Sequence, residues 1–262
     1  MTEPISRREP ISRPAPDGGA APDGGPAEAL IPAVVSEQLA TLGPYFAAGF
    51  HDASQEPEAP WRSLAELTGD PAVIQERVAG VRAFLAAGTG QDPEAVEARV
   101  AASVVHLGLV ARVVSPLVAL RVGHGWRGSV GAADLRWQPG LASTFPLSIS
   151  ESALERTGSN TFTGGVIAEL ETAVAPFGVN RHILRGNVAS ALAGAVKTLA
   201  AARPELADRA SAMLQVVLAE PVLHGSAGHR RDGTFRRRSC CLIYRAAPAH
   251  DGALCGDCAL RD

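Results

Sequence analysis

All four cysteines of this 262-residue chain lie near its C-terminal end, as Cys240-Cys241 and, after thirteen intervening residues, Cys255-Gly-Asp-Cys258. Cysteines serving as ordinary core filler would be scattered. A set gathered at one end reads as a ligand set. Four thiolates can hold a tetrahedral zinc, or a 2Fe-2S cluster in which each iron takes two of them. In the Cys-x-x-Cys half, one turn can aim both sulfurs at one metal, and Gly256 allows that turn a positive φ if it needs one. The vicinal half is unusual. Adjacent side chains diverge, so Cys240 and Cys241 fit poorly as a clamp on one small ion. A two-iron cluster can receive them one per iron, or both on one iron through a strained turn, and the sequence leaves both arrangements open. Two disulfides, in any of three connectivities, are the other reading. They require an oxidising compartment, and no secretory signal opens the chain.

The residues leading into this segment are basic. His229, Arg230, Arg231, Arg236, Arg237 and Arg238 precede the first two cysteines on a chain whose net charge is −3. A basic patch on a surface is ordinarily just solvated. Beside four thiolates, positive charge would favour the reduced, more negative state of a cluster and attract anionic partners. Arg236, Arg237, Arg238 and Arg245 are the candidates for meeting a substrate or an electron donor. Leu242-Ile-Tyr-Arg245 is apolar enough to form a short strand shielding the cysteines.

Other chemistries lack their marks. The seven histidines show no His-x-x-His or His-Glu-x-x-His spacing. No phosphate loop, dinucleotide fingerprint or Gly-x-Ser-x-Gly elbow occurs, so electrons for a redox reaction would come from a separate donor. The global charge gives no reason to expect nucleic acid.

The rest of the chain supplies the scaffold. Residues 1–27 repeat Glu-Pro-Ile-Ser-Arg and Ala-Pro-Asp-Gly-Gly, a composition that predicts a disordered tail. Apolar spacing predicts helices over 27–48, a short one from Trp61 to Gly69, and another from Pro71 to about Ala87 with Asp70 as its cap. Asp92-Pro93 predicts the start of the longest helix, running to about 115, where Pro116 ends or kinks it. That segment reads as a buried core helix rather than a membrane span. The glycines of 121–150 predict a small β element, with strands near Ser129–Trp137 and Phe145–Ser150. Trp126 and Trp137 could line a ligand site, but isolated aromatics are more often packing residues. Residues 151–164 read as a loop and 164–175 as a helix. Asn187 reads as the cap of a helix over 188–202, whose N-terminus, with Arg185, could face an anion. A last helix spans 204–218. The expected fold is mainly α: a helical bundle (28–234) with a small β insertion, and a C-terminal four-cysteine segment (235–262).

Phe235-Arg-Arg-Arg-Ser-Cys-Cys-Leu-Ile-Tyr-Arg245, followed by Leu254-Cys-Gly-Asp-Cys258, resembles the C-terminal signature of the ferric-siderophore reductases of the FhuF type. Leu184-Arg-Gly-Asn-Val-Ala-Ser-Ala-Leu-Ala-Gly-Ala195 is similar to a Gly-Asn-x-x-Ser-Ala helix start in the same family. The family's spacer between the cysteine pairs is shorter, and loop-closure entropy grows slowly enough to tolerate an insertion. The resemblance implies that Cys240, Cys241, Cys255 and Cys258 ligate a 2Fe-2S cluster, and that the chain reduces siderophore-bound Fe(III) in the cytoplasm. The implied partners are a ferric siderophore, of hydroxamate type, and an electron donor such as a ferredoxin or flavin reductase. Peripheral membrane contact is compatible with this reading. The rival expectations are a non-catalytic iron-sulfur or zinc module, and a protein of siderophore binding or biosynthesis.

Overall fold

The computed structural model describes residues 31–156 and 161–261, so the low-complexity tail expected over 1–27 lies outside the described residues. The mainly α architecture is as expected. Among the described residues there are eight α-helices, one four-stranded sheet and one two-stranded hairpin.

The centre is α4 (Ala98–His124), whose residues from Val100 to Val122 are nearly all buried. A helix that is apolar all round belongs inside a protein or a bilayer. This one is long and apolar enough to cross a membrane, and 78% of its most apolar window is buried within the protein itself. Two sequence expectations change here. Pro93–Ala95 form only a 3₁₀ turn, and α4 begins after an extended break at Val96 and Glu97. Pro116 does not end the helix, which continues to His124 and stops where Gly125 turns left-handed at φ 68°. The missing proline N–H costs one helical hydrogen bond. Close packing of Val113, Val114, Leu117 and Val118 on both sides of it outweighs that loss.

Around α4 stand α3 (Pro71–Ala87), α6 (Val166–Val174) and α7 (Arg181–Ala202), with α8 (Ala207–Leu218) packed on α7. The predicted cap of α3 is present: the Asp70 carboxylate accepts from the Ala72 N–H at 2.8 Å, and Pro71 opens the helix. α2 (Leu64–Gly69) is shorter than expected because Ser63 caps it. α1 (Pro32–Thr41) ends at Gly43, whose φ is 111°. α5 (Glu151–Glu155) occupies part of the stretch expected as a loop.

The sheet draws on more of the chain than the glycine-rich region suggests. Its order is β1 (Gly49–His51), β4 (Leu147–Ser150), β3 (Leu135–Trp137), β2 (Arg62–Ser63). β1 runs parallel to β4, with Phe50 opposite Ile149. The remaining neighbours are antiparallel. Strands this short carry almost no pattern of their own, so β1 and β2 are visible only through their partners.

The largest revision concerns α7. It starts at Arg181, where the Asn180 side chain accepts from the His182 N–H at 2.8 Å. Asn187 is therefore not a helix cap but a fully buried interior residue, so no helix N-terminus stands there to receive an anion. Gly186-Asn187 does not break the helix, because their small size is used for packing against the C-terminal segment. Trp126 and Trp137 are both buried, as packing residues are.

Buried arginines staple the sheet to the helices. Arg112 of α4, 1% exposed, donates to the carbonyls of Phe145 at 2.8 Å, Tyr45 at 2.9 Å and also Ala47. Arg77 of α3 lies between the Trp137 and Phe145 rings, 5.2 and 5.1 Å from their centroids. Arg112→Met keeps the stem but orphans these buried carbonyls. It is expected to cost about 3 kcal/mol or more of stability, measured by urea denaturation.

Candidate metal centre

The C-terminal segment is positioned by a hairpin of β5 (Ala227–His229) and β6 (Phe235–Arg237), which straddles the boundary expected at 235. The Arg237 N–H then donates to the Asp257 carbonyl at 3.1 Å, which brings the second cysteine pair beside the first. Ser239 donates from Oγ to the His182 carbonyl at 2.8 Å, fixing the approach to α7. After Cys240-Cys241 the chain turns at Leu242, which adopts φ 70°. The positive φ thus falls after the vicinal pair, on a leucine, and Gly256 is not among the glycines with positive φ. Such a conformation costs a β-carbon residue of order 1 kcal/mol and persists only where its surroundings hold it. Here the Leu242 side chain packs with Ala246 against Ala86, Val96 and Val100. The expected strand over 242–245 is instead a 3₁₀ turn, Ile243–Ala246, because the left-handed residue reverses the chain at once.

The two halves of the motif meet through their sulfurs at one contact. Cys241 Sγ and Cys255 Sγ are 3.6 Å apart. The Cys240 thiol feels the charges of both Cys241 and Cys258. A disulfide needs sulfurs about 2.05 Å apart. Two thiolates on one tetrahedral metal, with metal–sulfur bonds of about 2.3 Å, stand about 3.8 Å apart. The observed spacing matches the second case. The adjacent side chains do diverge: Cys241 meets Cys255, while Cys240 Sγ accepts from the Leu242 N–H. Among the described residues, no three acidic, His or Cys side chains converge on a single ion-sized centre. Cys241 and Cys258 are buried at 1% exposure, while Cys240 and Cys255 are partly exposed.

The backbone supports charged sulfur. The Leu242 N–H points at Cys240 Sγ and the Leu260 N–H at Cys258 Sγ, each at 3.3 Å, and the Ile243 N–H bonds Cys241. Each donor lies two residues after its cysteine, so the turn itself builds the contact. Hydrogen bonds to the charged form favour it. The Cys241 thiol is lowered to about 6, mainly by its hydrogen bond with Cys255, with help from the Ile243 amide and the Arg237 guanidinium. Cys255 is raised, first by that same contact with Cys241 and then by burial, and burial also raises Cys240.

The arginines take separate stations. Arg237 is fully buried, at 0% exposure, and faces the helices rather than a partner in solvent. Arg236 bonds the Ala259 carbonyl, and Arg230 reaches the Cys258 and Arg261 carbonyls at 3.1 and 2.9 Å. Both clamp the second cysteine turn. Arg245 is paired with Glu97, Nη2 to Oε1 at 2.6 Å. Of the four arginines singled out in the sequence, Arg238 is the one left exposed.

Ser103 and His106, which the sequence reading passed over, complete the site together with Asn187, which it read as a helix cap. Ser103 Oγ donates to the Cys241 carbonyl at 2.8 Å. Asn187 Nδ2 donates to the Ser103 carbonyl at 3.0 Å and faces His106 Nδ1 at 3.3 Å, while its Oδ1 accepts from Arg237. All four of these side chains are fully buried. The available signal was Ser103 and His106 three apart, polar residues one helical turn from each other in an otherwise apolar run.

No protein-family model matches the chain, and no curated protein matches it.

Gly186 explains how closely the segment approaches α7. A Cβ at this position would collide with the Ser239 hydroxyl and stand 3.3 Å from Arg237 Nη2. Gly→Ala inside a helix ordinarily gains up to about 1 kcal/mol. Gly186→Ala is expected to lose about 1–2 kcal/mol instead. It should also speed the reaction of the buried Cys241 and Cys258 with a thiol reagent in metal-free protein. Unchanged labelling rates and a gain in stability would show that the segment does not rest on this helix face.

Proposed function

We propose that this protein is a one-electron reductase of ferric iron bound to a siderophore, with Cys240, Cys241, Cys255 and Cys258 holding a 2Fe-2S cluster. The observation that carries this reading is the Cys241–Cys255 contact across the two halves of the motif, at a separation suited to tetrahedral metal, with backbone N–H donors on Cys240 and Cys258 beside it. Two pairs of thiolates, one pair per iron, are the donor set such a cluster uses. The sequence likeness to the ferric-siderophore reductases supplies the substrate class.

When bound, the cluster supplies a store for one electron. The chain's own residues do the rest. The Leu242, Ile243 and Leu260 amides help to hold the sulfurs as thiolates. Burial of Cys241 and Cys258 keeps water from one side, and partial exposure of Cys240 and Cys255 brings the other side to the surface. Arg238, exposed on the hairpin side of the segment two residues before Cys240, offers positive charge to an anionic ferric complex or an acidic donor protein. The oxygen donors of a siderophore are hard ligands that suit Fe(III) and hold Fe(II) far less strongly, so reduction is release. An external donor, a ferredoxin or a flavin reductase, supplies the electron; one electron leaves the protein and Fe(III) becomes Fe(II). The cytoplasm, where thiols stay reduced, is the compartment this reading requires.

Reduced protein mixed anaerobically with a ferric hydroxamate should reoxidise, and a ferrous chelator should collect about one Fe(II) per cluster. The matching gallium complex, which cannot be reduced, should leave the protein reduced. Cys255→Ser should remove both the chromophore and the activity. A protein that carries a cluster but stays reduced in the presence of ferric hydroxamates would favour the non-catalytic module instead.

A further inference from the structure

Arg237 is an anomaly by charge. Its side chain is 0% exposed, its Nε and Nη1 have no hydrogen-bond partner, and among the described residues no carboxylate lies within ion-pair distance of it. Nη2 donates to Asn187 Oδ1, a neutral acceptor. On the far side of Asn187 stands His106, also fully buried, with Nδ1 facing the amide and Nε2 unpartnered. Burial, then the neighbouring Arg237, lowers this imidazole to about 3, so it is neutral and offers no compensating charge. An isolated buried cation costs several kcal/mol. The negative charges that share this site with Arg237 are the cysteine sulfurs and the Asp257 carboxylate, whose Oδ2 is buried without a partner and which forms no ion pair with Arg237; the fields of Arg237 and Asp257 both bear on Cys241.

We infer that Arg237 is the buried counter-charge of the four-thiolate centre, held in place by Asn187, and that it sets how readily the centre accepts an electron. The inference rests on the cluster reading above and deepens it. A four-thiolate 2Fe-2S centre is a dianion when oxidised and gains a further negative charge on reduction. A fixed positive charge beside it, in a low-dielectric interior, stabilises the reduced state more than the oxidised one. Asn187 suits this role because a neutral amide orients the fork without cancelling its charge. A carboxylate there would neutralise it. Gly186 lets the guanidinium lie against α7. Arg237 is thus a positioning and tuning residue, separate from any surface arginine that meets a partner.

The test compares wild-type protein with Arg237→Lys, Arg237→Gln and Arg237→Met, each loaded under anaerobic conditions with iron and sulfide counted. Loss of the charge in the Gln and Met variants should make reduction about tenfold less favourable, a fall of about 59 mV for a one-electron couple. Arg237→Lys should recover most of it. Metal-free protein should show the opposite preference: the Gln and Met variants melt no lower than wild type, because an uncompensated cation has been removed. Equal potentials in wild type, Gln and Met would overturn the inference. So would a Lys variant as low as Gln, or Gln and Met variants that fail to fold metal-free while Lys folds. Wild-type protein that takes up zinc and no iron or sulfide would instead sink the reductase reading. The counter-charge would then be read from zinc affinity, expected to weaken about tenfold in Arg237→Gln, and an unchanged affinity would overturn it.

Discussion

The cysteine segment has little core of its own and depends on a buried polar seam with α4 and α7. Ser103 holds the Cys241 carbonyl, Asn187 holds Ser103 and Arg237, and the Arg237 backbone holds Asp257 between the second cysteine pair. Each bond in that seam lies where water is excluded, so each unmet partner would carry its full desolvation cost. The seam therefore fixes a register. It places Cys241 beside Cys255 of the Cys-x-x-Cys turn. Without it, two short loops with four thiols would have many near-equal arrangements, disulfides among them.

This dependence explains features that look wasteful in isolation. Gly186 gives up helix propensity so that Ser239 and Arg237 can lie against α7. Leu242 accepts a left-handed backbone so that the chain can reverse immediately after the vicinal cysteines. Much of the basic run is spent on carbonyls: Arg230 and Arg236 tie down the Cys258 turn, and Arg245 is neutralised by Glu97. The thirteen-residue spacer is likewise anchored rather than free, with Gln91 donating to the Ala246 carbonyl at 2.7 Å. The turn that presents the sulfurs is thus rigid on its inner side and open on its outer side, a division suited to a centre that exchanges electrons at a surface.

The helical fold could be read from the sequence because its signals are long. The Asp70-Pro71 start and the apolar spacing of α3 and α4 extend over many residues; α3 follows them closely, and α4 keeps the expected buried face with both of its ends displaced. What could not be read has one of two causes. β1, β2, β5 and β6 are two or three residues each, and a strand that short is specified by its neighbours. Pro116 and Asn187 carry strong local preferences, a break and a cap, that tertiary packing overrides inside a buried helix pair. At the site, the cysteines announced themselves by being gathered together. Their partners did not: Ser103 and His106 are single polar residues in an apolar run, and nothing in the spacing of Arg236, Arg237 and Arg238 shows that the middle one turns inward.

The most direct measurement is iron, acid-labile sulfide and zinc content of protein purified without oxygen, with the visible spectrum taken before and after dithionite. Ligation of a 2Fe-2S cluster by Cys240, Cys241, Cys255 and Cys258, as proposed, predicts about two irons and two sulfides per chain, and a coloured centre that bleaches on reduction. A colourless protein holding one zinc and no sulfide, even after cluster reconstitution, would contradict that account.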